Sequence, residues 1–484
     1  MSTTDRTHQD PDESTPDGPA DLEAGSAAVR PEDERVPLGK ALIYGLQHIL
    51  AMYAGVVSPP IIIASAAGLD PRATALLVTA ALFVSGLGTL LQSLGVPYVG
   101  SQLPLVQGVS FAAVGTMTAV ATNASLGDSN ARLATIFGAV IVAGIFGFLV
   151  APLFASVVRF FPPVVTGCII TIIGISLFPV ALRWIRGNPT ITTTAADGTR
   201  QTIENPNFGS ATSLLLAFLT LVITLAIARF APGFWSRMAV LLGLVIGTLI
   251  ATVMGRVNWG AVGRGPVFEF PQPFFFGAPQ FAIGVIISMC IVMLVIMAET
   301  TADLLAVGEI LDTKVDKKRI AAGLRADTAA TAISPVFNGF PISAFAQNVG
   351  MVALTGIKSR FVVAAGGGIL VLLGLLPVLG RVMNAIPLPV LGGAGIVLFG
   401  SVAAAGIRTL SRVNFTNSNV LIVAASIGVG IIPITVPEIY NHIPEWLATI
   451  FESGISATAI FAVLLNLAFN HFSKVDEPVP AAEH

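Results

Sequence analysis

The chain has 484 residues, 54% of them hydrophobic and 11% charged, with 48 Gly, 31 Pro and a formal net charge of −2. A soluble chain of this length would carry about 25% charged residues; here charge is swept into short clusters between apolar runs of about 20 residues, the length that crosses about 30 Å of hydrocarbon. This composition excludes a soluble domain and predicts a polytopic membrane protein; the net charge says nothing about nucleic acid, but no basic patch with interleaved aromatics appears, so no nucleic-acid partner is expected.

Residues 1–36 are rich in Asp, Glu, Ser, Pro and Thr with almost no large apolar side chains, so residues 1–37 are expected to form a disordered tail. No cleavable signal is expected ahead of the first apolar run near Leu38, which would itself serve as the insertion signal. Fourteen spans are predicted near 39–57, 73–94, 101–121, 132–152, 163–183, 209–230, 237–255, 279–308, 319–338, 341–357, 360–380, 388–407, 418–436 and 453–472. A short tail follows from 473. The expected fold is all-α. The third and tenth spans are poor simple helices, because "PYVGSQLPLVQGVSF" and "GFPISAFAQNVG" open with Pro, Gly and polar residues. Their first halves are expected to be extended, which survives at membrane depth only inside protein or along a cavity.

With fourteen spans both termini share one side. Fifteen Lys and Arg flank spans on that side, against eight opposite, Arg72, Arg132, Arg183, Arg186, Arg200, Arg256, Arg264 and Arg381. The positive-inside rule therefore predicts cytoplasmic termini, with 184–208 as the longest outside loop and "DTKVDKKR" (312–319) as the strongest inside anchor. "PVVTGCIITIIG" (163–174) aligns with "PVLGGAGIVLFG" (389–400), matching proline, valine and two glycines. These are spans five and twelve, and the interrupted spans three and ten also differ by seven. Seven is odd, so the repeats 38–255 and 256–472 are expected to be inverted. Interrupted segments at matching positions of inverted halves point to a transporter's midplane site.

Ionisable residues inside the spans are His48, Glu299, Asp303, Glu309, Arg325 and Asp327. Each costs several kcal/mol facing lipid and is expected to face a cavity or a partner. Glu299 and Asp303 are four apart, on one helix face. Two such carboxyls in low dielectric do not both ionise cheaply, so one is expected to hold a proton and exchange it; the plainer reading is a capped helix end, favoured for Glu309. Arg325 and Asp327 are two apart and point to different faces, leaving Asp327 open between an ion pair, a helix contact and a mechanistic role. His48 sits beside Gln47 and reads as a hydrogen-bonding residue reaching the carboxylates or a half-helix. Cys168 and Cys290 lie in apolar runs and the other histidines in tails or loops, so neither a disulfide nor a metal site is expected.

Gln347 and Asn348 face one cavity most easily at an extended-to-helix junction. A Gln amide offers donor and acceptor side by side, matching a lactam or nucleobase edge; the alternative is amide glue between helices. In span three, Gln107, Ser110 and Phe111 occupy the pseudo-symmetric break, where Phe111 either stacks on a planar ring or simply packs.

These residues resemble the nucleobase–ascorbate transporters, the nucleobase:cation symporter-2 family. Its signature, Gln/Glu-Asn-x-Gly-x-x-x-x-Thr-(Arg/Lys/Gly), is met by Gln347, Asn348, Gly350, Thr355 and Gly356. The Gln47–His48 pair, Glu299-Thr300-Thr301, "QGVSF" and Asp327 agree, over residues 38–472. The resemblance implies a core domain moving against a gate domain. It also implies substrate contacts from Glu299, Gln347, Ser110, Phe111 and Asn348, with His48, Asp303, Asp327 and Gln47 supporting proton coupling or the site. It implies homodimers, a cytoplasmic-membrane location, and H⁺ as coupling ion with no cofactor. Ala302 departs from the usual glycine before Asp303. Gln at position 347, where uracil carriers tend to have Glu, points to xanthine and/or uric acid, since a second carboxylate would repel an anionic purine. The rivals are uracil or Na⁺-coupled uptake, and an anion carrier of the related sulfate-transporter architecture, for which Glu299 is a poor fit. No Ser/His/Asp order or HExxH motif suggests an enzyme.

Overall fold

The computed structural model describes residues 30–157, 161–187, 190–194, 200–205, 208–263, 265–440 and 442–471. Most of the expected N-terminal tail, and the C-terminal tail from 473, lie outside the described residues. Residues 30–34, which the tail is expected to include, make defined contacts. Pro31–Asp33 make one 3-10 turn in which Glu32 is fully buried. The Glu32 carboxylate accepts from Arg319 at 2.8 Å and from the Thr313 hydroxyl at 3.0 Å, while Asp33 meets Arg360 at 2.7 Å. Acidic residues among prolines read as disorder because Arg319 lies 287 residues away.

Helix α1 (Leu38–Ala67) ends at Gly68, whose left-handed φ of 68° suits glycine. Helix α2 (Pro71–Leu94) starts on Asp70, whose carboxylate accepts the Ala73 N–H at 2.8 Å with Pro71 in the first turn. Strand β1 (Gln107–Val109) and a 3-10 turn then lead into the short α3 (Val114–Thr122). Helices α4 (Ser129–Val157) and α5 (Pro163–Arg186) follow. Within the predicted long loop, β2 (Thr190–Thr194) and β3 (Arg200–Glu204) pair as an antiparallel hairpin. Next come α6 (Ala211–Phe230), the single turn α7 (Phe234–Arg237) and α8 (Ala239–Val253).

The second half opens with α9 (Ile283–Leu311) and α10 (Lys317–Ile333), the latter capped by Asp316. Strand β4 (Ile342–Ala344) runs into α11 (Ala346–Thr355). Helices α12 (Arg360–Gly374) and α13 (Pro377–Ala385) meet at a 77° bend, followed by α14 (Leu388–Leu410), α15 (Asn417–Thr435), α16 (Glu445–Phe451) and α17 (Gly454–Asn466).

Among the described residues nine helices are long and apolar enough to cross a membrane, or ten if the bent pair counts as one. The other predicted spans are shorter or more polar: α3 and α11 are half-length, α8 has 15 residues, and α10 has 17 with several charges. Helices α5 and α14 pack antiparallel through small residues, Gly167 against Leu410, Thr171 against Gly406 and Gly174 against Ala403. Such bare positions let two backbones approach where lipid provides no hydrophobic drive for association.

The interrupted spans meet in the protein interior. Strands β1 and β4 pair antiparallel, Gln107 opposite Ala344, Gly108 opposite Ser343 and Val109 opposite Ile342, and all six residues are buried. The Ser110 N–H donates to the Pro341 carbonyl at 2.8 Å and the Phe345 N–H to Val106 at 3.1 Å. The first N–H of each strand is taken up by a helix threonine: Gln107 donates to Thr89 Oγ1 at 2.9 Å, Ile342 to Thr331 Oγ1 at 3.0 Å. With these donors satisfied, extended backbone is tolerable at membrane depth.

Candidate substrate site

Around this crossing, α9 and α10 bring the carboxyl groups. Thr300 on α9 joins three elements: its hydroxyl donates to Asp327 Oδ2 on α10 and accepts the Ala344 N–H of β4 at 3.3 Å. Asp327 is thus held by a threonine, and Arg325 is not its partner. The Arg325 guanidinium lies over the Phe148 ring, 5.8 Å from its centroid, as expected for residues two apart on a helix. Asp303 and Asp327 are buried, each with one carboxyl oxygen free of hydrogen bonds, and Glu299 is half-buried. Asp303 lies within electrostatic reach of both Glu299 and Asp327. Among the described residues none of the three forms an ion pair with a cation. Glu309 is exposed near the end of α9.

Across the crossing, the amides of α11 diverge. Asn348 is fully buried; its Nδ2 reaches His48 Nδ1 at 3.2 Å and the His48 carbonyl at 3.3 Å. Of the two alternatives for His48, the half-helix is what it bonds. Gln347 is exposed and, among the described residues, makes no hydrogen bond to protein, and Gln47 is half-buried. On the other strand, Ser110 Oγ accepts the Ala112 N–H at 3.2 Å and so caps the turn into α3. The Phe111 ring packs edge-on against Phe399 with centroids 6.2 Å apart. Gln107 is fully buried with both amide atoms free of hydrogen bonds.

Phe345, Thr89 and Thr331 were not singled out from the sequence. The Phe345 ring lies against the bare backbone of Gly55 and Gly108, wedging α1, β1 and β4. No local signal marks them, because a phenylalanine or threonine in an apolar run is ordinary. Two sizeable cavities lie elsewhere: one of about 870 Å³ is bounded by α2, α13 and residues 256–275, and one of about 490 Å³ sits beside α3, α5 and the start of α17. Neither touches Glu299, Asp327 or Gln347; the buried polar groups around the strand crossing mark the candidate site instead.

The family model Xan_ur_permease, described as a permease family, matches residues 39–439. The chain belongs to this family, the nucleobase:cation symporter-2 permeases. The permease is 39% identical over 457 residues to the uric acid transporter UacT of Escherichia coli K12, covering 93% of this chain and 91% of that one. It is 40% identical over 437 residues to a xanthine permease of Bacillus subtilis, covering 90% and 95%. Among solved structures, the transmembrane domain of the cyanobacterial bicarbonate transporter BicA shares the fold with a TM-score of 0.53 at 17% identity, covering 90% of the permease and 98% of that chain. The murine anion transporter Slc26a9 aligns with a TM-score of 0.58 at 14% identity, covering 95% and 74%. The permease is a multi-pass membrane transporter and not an enzyme.

Proposed function

We propose that the permease imports an oxidised purine, xanthine and/or uric acid, across the cytoplasmic membrane by H⁺ symport with alternating access. The observation that carries this reading is the pair at the head of α11. Asn348 is tied to His48, while the adjacent Gln347 amide is accessible and, among the described residues, has no hydrogen-bond partner. An unpaired amide offers a lactam edge the donor and acceptor it needs. The similarity to a uric acid transporter and a xanthine permease supports the same substrate class.

In this reading Gln347 and Glu299 hold the base, with Ser110, Phe111 and Asn348 shaping the clamp. Asp303, Asp327, His48 and Gln47 support the site or its proton circuit. A buried carboxyl without a cation is most cheaply neutralised by a proton, which supports H⁺ over a larger ion. The chain would cross the membrane fourteen times as two inverted seven-span repeats. The mirrored bonds of β1 and β4 and the antiparallel α5–α14 pair support that inversion. The Lys/Arg balance supports cytoplasmic termini, and the family resemblance a homodimer.

Labelled xanthine, urate and uracil uptake in cells lacking their own carriers, with and without a protonophore, tests the proposal. Purine accumulation abolished by the protonophore is expected. Uptake of uracil alone would overturn the substrate, and uptake that needs Na⁺ and survives the protonophore would overturn the ion.

A further inference from the structure

We infer that Arg237 is a specificity-determining residue of the permease, meeting the anionic form of an oxidised purine one helical turn from Gln347; this rests on the transport reading above. Gln347 and Gly350 are three apart on α11, so they share a face. Gly350 has no side chain, and Arg237, the last residue of α7, lies directly against it. A methyl group placed on Gly350 would sit 3.4 Å from Arg237 Nη1. The glycine of the family signature is therefore the spot where a guanidinium approaches the site helix.

The charge at this spot is uncommitted. Arg237 is half-buried, and among the described residues it has no hydrogen bond, ion pair or ring contact. Several other arginines of the structure are engaged, whereas Arg72, Arg183, Arg256, Arg408 and Arg412, which like Arg237 have no such partner among the described residues, lie away from α11 in the chain. Arg319 and Arg360 bind the Glu32–Asp33 turn and backbone carbonyls, Arg381 donates to the carbonyls of Val262 and Pro266, and Arg325 covers Phe148. A guanidinium without a protein partner keeps its five N–H donors available for an anionic ligand.

The chemistry fits a deprotonated oxopurine. Its negative charge spreads over ring nitrogen and carbonyl oxygen along one planar edge, which a guanidinium meets with two parallel N–H donors. A neutral base presents the same edge without the charge. Arg237 therefore favours the anion, while the Gln347 amide reads the edge in either form.

The test measures KM for labelled urate and labelled xanthine in mildly acidic medium, where urate is an anion and xanthine is neutral. Arg237→Gln should raise the urate KM about tenfold, equivalent to about 1.4 kcal/mol. The xanthine KM should move less than about twofold. Arg237→Lys, which keeps the charge but loses the fork, should fall between. Arg237→Cys treated with a cationic methanethiosulfonate should recover urate affinity, and an anionic reagent should worsen it; these within-protein comparisons stand even if expression of a variant is low. Equal KM changes for both substrates, or none, with the wild type active, would overturn the role of Arg237 alone. A wild type that takes up neither purine would overturn the transport reading and this inference with it.

Discussion

Gln347 and Asn348 are adjacent in the chain, yet one is open and the other is locked to α1. Asn348→Ala would strand His48 Nδ1 in a buried position and should lower stability by about 1–3 kcal/mol, seen as a fall in thermal unfolding temperature of the purified permease. Gln347→Ala removes no protein hydrogen bond among the described residues, so it should change stability by less than about 0.5 kcal/mol while abolishing urate uptake. If Gln347→Ala destabilises as strongly as Asn348→Ala, the amide is structural and does not contact substrate. Gln347→Glu should weaken competition by urate more than by uracil, because the added carboxylate repels an anion; equal losses would count against the amide reading. Thr300 has a comparable double duty. Thr300→Val would strip Asp327 of its donor and leave the Ala344 N–H without an acceptor, whereas Thr300→Ser would keep both bonds.

The two interrupted segments support each other as elements. Each strand hands its first N–H to a threonine of a neighbouring helix, so Thr89→Val and Thr331→Val should each cost about 1–3 kcal/mol. Similar costs would support the mirrored roles; a neutral Thr331→Val would mean that β4 finds another partner. The terminal-side clasp works differently. Burial pushes the Glu32 carboxyl up, but hydrogen bonds from Arg319, its own backbone and Thr313, with the Arg319 charge, outweigh it and hold the group below its ordinary 4.5. A carboxyl lowered in the folded state stabilises fully above that ordinary value, and the contribution is lost as pH falls through the lower folded value. Unfolding temperature should therefore drop in that acid window for the wild type and less for Glu32→Gln. Parallel curves for the two proteins would show that the clasp contributes nothing to acid sensitivity.

For the whole molecule, alternating access requires groups of helices to separate. The Thr116 hydroxyl of α3 donates to Ser453 Oγ at 3.0 Å, just ahead of α17, in a buried contact between the two halves of the chain. The double variant Thr116→Cys/Ser453→Cys should form a disulfide on oxidation that stops purine uptake, with activity restored by reductant. Undiminished uptake with the cross-link formed would show that α3 and α17 stay together throughout the cycle.

Membrane class, the positions of the apolar segments, the breaks in spans three and ten and the Gln347–Asn348 signature were all legible in the sequence. They depend on local composition, proline and glycine placement and short-range spacing. Other features belong to the tertiary structure alone. They include the pairing of β1 with β4, Thr300 instead of Arg325 beside Asp327, the wedge made by Phe345 and the fixing of residues 30–34. Each of these joins groups remote in sequence or turned away from one another on a helix. His48 and Asn348 are 300 residues apart and Glu32 and Arg319 are 287 apart. No periodicity in one short window records such contacts. The sequence by itself determined the apolar segments and the breaks in spans three and ten, but not the 77° bend between α12 and α13 inside the single span expected at 360–380. Only the packed helices decided which buried polar groups meet, because that depends on facing surfaces brought together after each helix has formed.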